Sequence, residues 1–173
     1  MNSNPLFQRK KRKLFVSYDH HRDGGRYDEF QRLFASLYEI TRDNSLEREL
    51  DTDDAEAFLA HLPNQGLGDA GTLLVLCGAG THLDKFVGWE IKAALDRGAG
   101  LLGVILPDNP TDASGQPVLP ERMRRNFDGG YAVICRWEEL VRDKIELTPR
   151  IDFAMERPAD LIDNTAPLRR GNE

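Results

Sequence analysis

Apolar and polar positions fall into their clearest pattern between Thr72 and Ile105, which reads TLLVLCGAGTHLDKFVGWEIKAALDRGAGLLGVI. Thr72 to Cys77 is a short aliphatic run without alternation, as expected of a strand covered on both faces. Val87, Ile91, Ala94 and Leu95 then recur at helical spacing, and Gly98 ends the pattern. Leu101 to Ile105 is a second buried strand. The unit is β-α-β, a right-handed crossover between parallel strands. Its helix carries Glu90 just beyond the C-terminal end of the first strand, where open α/β sheets place their chemistry.

The rest of the pattern extends this unit on both sides. Arg9 to Lys13 is a basic run of solvent-facing residues ahead of a strand over Leu14 to Tyr18, and the polar loop DHHRDGGR follows. Phe30, Leu33, Phe34 and Leu37 occupy i, i+3, i+4 and i+7, the apolar face of a helix. Tyr38 to Thr41 is the second strand. Arg42 to Glu56 is acidic, with no strong apolar strand. Asp53 is a candidate cap for a helix with Glu56 three residues on, and Phe58, Leu59 and Leu62 form its inner face. Pro63-Asn64-Gln65-Gly66 ends that helix. After Ile105, a segment with four prolines reads as an excursion or lid that needs no regular element. Tyr131 to Cys135 is the last core strand, and a helix follows through Trp137, Leu140, Val141 and Ile145. Beyond Pro149 no period is sustained, so residues 149–173 are expected to be an extension docked on the domain or on an oligomeric partner.

Composition narrows the class. At 173 residues the chain buries one substantial core, and two independent domains would be a tight fit. A formal charge of −6 implies no general nucleic-acid-binding surface. No uninterrupted apolar segment approaches the ~20 residues that span a bilayer, and no apolar secretion segment follows the N-terminus. Both cysteines, Cys77 and Cys135, fall in expected strands, and buried free thiols in a reducing compartment are the default over a disulfide. The expected location is the cytoplasm.

The candidate chemistry clusters at one rim. Ser17, Tyr18 and Asp19 follow the first strand, and Asp43, Asn44 and Ser45 follow the second. Such residues also cap ordinary turns. Gly78 and Gly80 permit close backbone approach, and Thr81 offers a hydroxyl. GAGTHL lacks the full glycine pattern of a dinucleotide fingerprint. His82 lies close to the helix of Glu90 and is a possible substrate contact. Adjacent His20 and His21 make a poor metal shell, and no Cys-His cluster has structural-zinc spacing, so no metal and no cofactor are expected. Glu90 itself has two readings, a charge paired near the start of its helix and a catalytic carboxylate.

KLFVSY, the TRDNS segment, LLVLCGAGTH, KFVGWEIKAAL and LLGVIL together resemble the bacterial TIR-like domains once grouped under a domain of unknown function, including the sensor subunits of Thoeris-type anti-phage systems. The resemblance spans roughly residues 12 to 148, after a flexible basic leader over residues 1–11. It implies an α/β, three-layer flavodoxin-like TIR fold with a mainly parallel central sheet. KFVGWEI is similar to the family's helix start, with Phe86 in the usual tryptophan position and Glu90 in that of the catalytic glutamate of NAD-cleaving TIR domains. The resemblance implies NAD as substrate, cleavage of the nicotinamide-ribose bond, and a cyclic ADP-ribose-type signal for a partner effector. It further implies self-association and a phage-derived activator. Phe86, Ser17, Tyr18, Asp19, Asp43, Asn44, Gly78, Gly80, Thr81 and His82 are the accompanying substrate-contact candidates. The alternative is a non-catalytic TIR-like or flavodoxin-like interaction or nucleotide-binding module.

Overall fold

The computed structural model describes residues 10–172. Most of the expected leader, residues 1–9, lies outside the described residues. Five strands, β1 (Arg12–Ser17), β2 (Tyr38–Thr41), β3 (Thr72–Cys77), β4 (Gly100–Ile105) and β5 (Val133–Arg136), form one sheet in the order β2-β1-β3-β4-β5. Every pairing is parallel, with Ser17 opposite Val75 and Cys77 opposite Ile105. The strand order reverses between β1 and β3, which opens a crevice at their C-terminal ends.

Alternation along the strands divides the core into two layers. Phe15, Leu73, Val75, Cys77 and Leu101 point to one side and meet α3 (Ala55–His61), α4 (Lys85–Asp96) and α5 (Glu121–Asp128). Leu14, Val16, Leu74, Leu76, Leu102 and Val104 point to the other. There they meet α1 (Gly24–Phe34), α6 (Trp137–Arg142) and α7 (Leu147–Met155). This is the expected three-layer flavodoxin-like arrangement. It also explains the unalternating aliphatic runs, since a strand buried on both faces has no polar side. Cys77 and Cys135 are buried free thiols. Among the described residues no helix is long and apolar enough to cross a membrane.

Several elements differ from the sequence expectation. Arg12 and Lys13 belong to β1 itself, because their backbones pair with Tyr38 and Glu39 of the edge strand while their side chains form ion pairs at the surface. Leu37 lies beyond the end of α1 and is 49% exposed. Asp54, not Asp53, caps α3 by accepting from Ala57 N at 3.0 Å, and Asp53 is drawn instead to Lys85. A short helix, α2 (Leu46–Glu49), interrupts the acidic stretch, with Ser45 as its cap. The proline-rich excursion ends in α5. Val141, although inside α6, is exposed, and Ile145 lies beyond the helix, which stops at Arg142, and is exposed as well.

Helix α7 crosses the 148/149 boundary drawn from the sequence. Pro149 falls in its first turn, where a backbone N–H has no helical acceptor and proline costs nothing. Its Leu147 and Ile151 are fully buried against the sheet. The residues after it run back over α4 and α5. Arg122 donates to Asn164 O at 2.8 Å and to Ala166 O, and Trp89 Nε1 donates to Arg169 O at 2.9 Å. Lys85 N donates to Asn172 Oδ1 at 2.9 Å. Ile151→Ala is therefore expected to lower the unfolding free energy by about 2–5 kcal/mol, as for a fully buried aliphatic side chain. Urea denaturation checks this, and a loss within ~0.5 kcal/mol would place α7 outside the cooperative core.

Candidate active site

The crevice between β1 and β3 receives its functional groups from three chain segments. Ser17 and Tyr18 stand at the end of β1. The turn after β3 leads into α4, whose N-cap is Asp84, accepting from Phe86 N at 2.8 Å and Val87 N at 3.3 Å. Glu90 lies in the second turn of α4. From the third segment, α2 sends Arg48 inward. Lys85 ties the chain following α2 to α4 through Asp51 at 3.0 Å and Asp53 at 2.8 Å.

Glu90 is 1% exposed and both of its oxygens are engaged. The Ser17 hydroxyl donates to Oε2, and Arg48 Nη1 donates to Oε1 at 3.1 Å. Arg48 Nη2 reaches Asp84 Oδ2 at 3.2 Å and Tyr18 O at 2.7 Å, and the guanidinium lies 5.0 Å from the Phe86 ring centre. One buried cation therefore serves two buried carboxylates. Burial pushes the Glu90 pKa up to about 8, against the opposing pull of Arg48 and Ser17, and nearby Asp43 and Asp84 push the same way as burial. Asp84 is likewise raised by burial, partly offset by Arg48.

Two cavities flank this cluster. One of about 260 Å³ is walled by Tyr18, His20, Arg42, Asn44 and Arg48. Tyr18 forms its floor in a stack, with ring centres 4.3 Å from His20 and 4.7 Å from Tyr27, and its hydroxyl accepts from Arg42. His20 is held neutral, its pKa lowered to about 3 by burial and by Arg48 and Arg42. The other cavity, about 150 Å³, is walled by Asp19, Arg22, Gly80, Asp84 and Asn172. A larger cavity of about 470 Å³ lies at the opposite end of the strands, beside Arg12, Thr72 and Met155. It is far from the crevice and gathers no part of the Glu90 cluster, so the smaller pair marks the site.

Of the residues singled out in the sequence, Ser17, Tyr18, Asp19, Asp43 and Asn44 converge on this rim with Glu90. Asp43 is fully buried and accepts from Ser45 N at 2.8 Å, bracing the start of α2. Asp19 closes its own turn by accepting from His21 N at 3.0 Å. Gly78 and Thr81 are occupied within the protein. Thr81 Oγ1 accepts from Gly78 N at 2.8 Å, and a Cβ on Gly78 would come within 2.5 Å of Asp23 Oδ2. Gly80 sits beneath Arg22 in the wall of the smaller cavity. His82 lines neither cavity; it lies in a separate small pocket with Pro120 and Arg169, and its backbone carbonyl accepts from Arg169 Nη1 at 3.1 Å. Phe86 is 3% exposed and packs on Phe58 at 5.1 Å and Trp89 at 5.3 Å, forming a platform for Arg48.

Arg48, Arg42 and Asp84 are absent from the sequence reading. An aspartate directly before the helical period of α4 is a cap signal that identifies Asp84. Arg48 carries no such signal, because a basic residue in an acidic stretch is ordinarily solvated.

A parallel 2-1-3-4-5 sheet with a helix-borne glutamate at the switch point defines a TIR-like α/β domain. The chain belongs to the family of the TIR-like domain of the Thoeris protein ThsB, whose family model matches residues 15–111, from within β1 to beyond β4, and includes Glu90. Membership associates the chain with Thoeris defence. No curated protein matches it.

The electrostatics of Glu90 generate a stability prediction. A carboxyl whose pKa is raised on folding from 4.5 to about 8 favours the fold in its neutral form. That contribution is complete below pH 4.5 and is lost as pH rises through about 8. Glu90→Gln imitates the neutral form at every pH. The unfolding free energy of the wild type relative to Glu90→Gln is expected to fall by at least ~1 kcal/mol between acid and mildly alkaline pH. Denaturant titrations across that range measure it, and a flat difference contradicts the assignment.

Proposed function

We propose that this chain is an NAD-consuming enzyme that cleaves the nicotinamide-ribose bond and forms a cyclic ADP-ribose-type signal in Thoeris defence. The observation that supports this most is the placement of Glu90 at the β1/β3 switch point, one hydrogen bond from Ser17, in a KFVGWEI segment that resembles the helix start carrying the glutamate of NAD-cleaving TIR domains. Bond cleavage sends the electron pair to the nicotinamide nitrogen and leaves cationic character on the ribose. Glu90 in its ionised form, the fraction that grows as pH rises toward about 8, stabilises that charge, and the Ser17 hydroxyl fixes the carboxylate's orientation. The ribosyl cation is then captured by an atom of the same molecule in a cyclising reaction, or by water in a hydrolytic one. No cofactor is required, NAD being the substrate.

The proposal includes a cytoplasmic location, an effector that reads the nucleotide signal, a phage-derived activator, and self-association. Val141, Ile145, Phe153 and Met155 offer exposed apolar surface on the C-terminal helices for assembly. A second reading, a non-catalytic module in which Glu90 is only a structural partner of Arg48, draws on the enclosure of that carboxylate.

Substitution separates the two. Glu90→Gln is expected to fold and to reduce nicotinamide release from NAD about 10²–10³-fold, because the amide keeps the shape and removes the charge. Ser17→Ala is expected to lose about ten- to a hundredfold, the worth of one hydrogen bond to a charged group. Chromatographic product analysis with NAD and an activating phage lysate, on samples matched for folding and oligomeric state, measures both. Wild-type turnover by a folded Glu90→Gln protein rejects the catalytic role. Phe86→Ala is expected to act through stability, costing about 3–5 kcal/mol by opening the Phe58–Trp89 cluster.

A further inference from the structure

The cavities beside Glu90 share no wall residue, and Glu90 itself lines neither. What separates them is Arg48. Its guanidinium runs from Tyr18 O, in the wall of the larger cavity, to Asp84, in the wall of the smaller, and it covers the Glu90 carboxylate on the way. Three of the five donors of this planar fork meet acceptors, two of them on buried carboxylates, so the arrangement is a built closed state and not a chance contact.

The element that carries Arg48 is lightly held. In α2 only Arg48 is buried, while Leu46 and Leu50 are 61% and 71% exposed. Polar contacts anchor it: the Ser45 cap, the pair of Glu47 with His61 at 3.3 Å and, on the chain that follows, the exposed Asp51 and Asp53 paired with Lys85. Such a segment can open without unpacking either core layer.

We propose that Arg48 is the gate of the Glu90 site. Closed, it fills the space in front of the carboxylate. When α2 swings outward, the two cavities join into one cleft floored by Glu90, large enough to admit a nucleotide ribose. Glu90 then loses its cation at the moment a developing ribosyl cation can replace it. The opening motion is a property of this chain alone, while its use in turnover rests on the NAD-cleaving reading above.

The test therefore begins without NAD. Full-length wild type, Arg48→Met and Arg48→Lys are treated with a water-soluble carbodiimide and an amine, and labelling of individual carboxyls is followed by mass spectrometry. Glu90 is expected to label at least about tenfold faster in Arg48→Met than in wild type, and to an intermediate degree in Arg48→Lys, with surface Glu138 unchanged. Equal Glu90 labelling in a variant that unfolds cooperatively overturns the gate. Native-state hydrogen exchange of the wild type adds a measurement that needs no variant. The amides of residues 46–50 are expected to open far more often than those of 88–95, and opening of both only in global unfolding overturns the gate. Nicotinamide release is then assayed without activator. A rise in Arg48→Met extends the gate to turnover. Fast Glu90 labelling with no release from NAD by any form, activated or not, leaves the gate standing and rejects the NAD reading.

Discussion

The pairing of β1 with β3 is the constraint on which the molecule depends. β3 is the central strand of the sheet and β1 its neighbour, and between them the direction of strand addition reverses. Connections leave on opposite faces from that point, so the chain parts there and a crevice results. Everything in the candidate site follows from this parting. Ser17 comes from one side, α4 with Glu90 from the other, and the polar segment after β2 folds across the top.

The crevice is wet in topology but dry at its floor. Glu90, Asp84 and Arg48 are all nearly removed from solvent, a placement that costs free energy unless each charge is closely matched. One guanidinium serves two carboxylates, and the pKa values of Glu90 and Asp84 are both raised, first by burial and then by neighbouring negative charge that Arg48 only partly offsets. A protein selected only for stability would do better with apolar side chains of similar volume here. Retaining the charges at such a point is typical of a site that stores unfavourable electrostatics for use.

Much of this was legible in the residues. Strands covered on both faces announce themselves as aliphatic runs, so β1, β3 and β4 and the α/β class were visible, and even the short β2 was found. Glu90 could be placed in the early turns of a helix whose period is clear, while its catalytic reading came from the resemblance of KFVGWEI to the TIR helix start. The tight turns were legible only as turns. Gly78 and Thr81 looked like substrate contacts but serve Asp23 and each other, since a glycine needed to admit a side chain reads the same as one needed to admit a ligand. Arg48 was invisible for a different reason. Its role comes from a four-residue helix with no apolar face, and it acts across 42 residues of chain on a carboxylate that local pattern does not connect to it. Helix α7 was missed because no apolar period is sustained beyond Pro149, which in a first turn is nonetheless compatible with a helix.

The bond between the Trp89 indole and the carbonyl of Arg169 has a practical side. Trp89 is fully buried, with its ring against Phe58 and Phe86 of the α3–α4 interface and its only polar atom bound to the C-terminal strand of chain that overlies α4. The chain has only one other tryptophan, Trp137, on the opposite face of the sheet. Intrinsic fluorescence of a Trp137→Phe protein thus reports from a single known position. Its emission colour registers whether the C-terminal segment is seated beside the helix that bears Glu90, giving an optical gauge of the site's surroundings that needs neither substrate nor label.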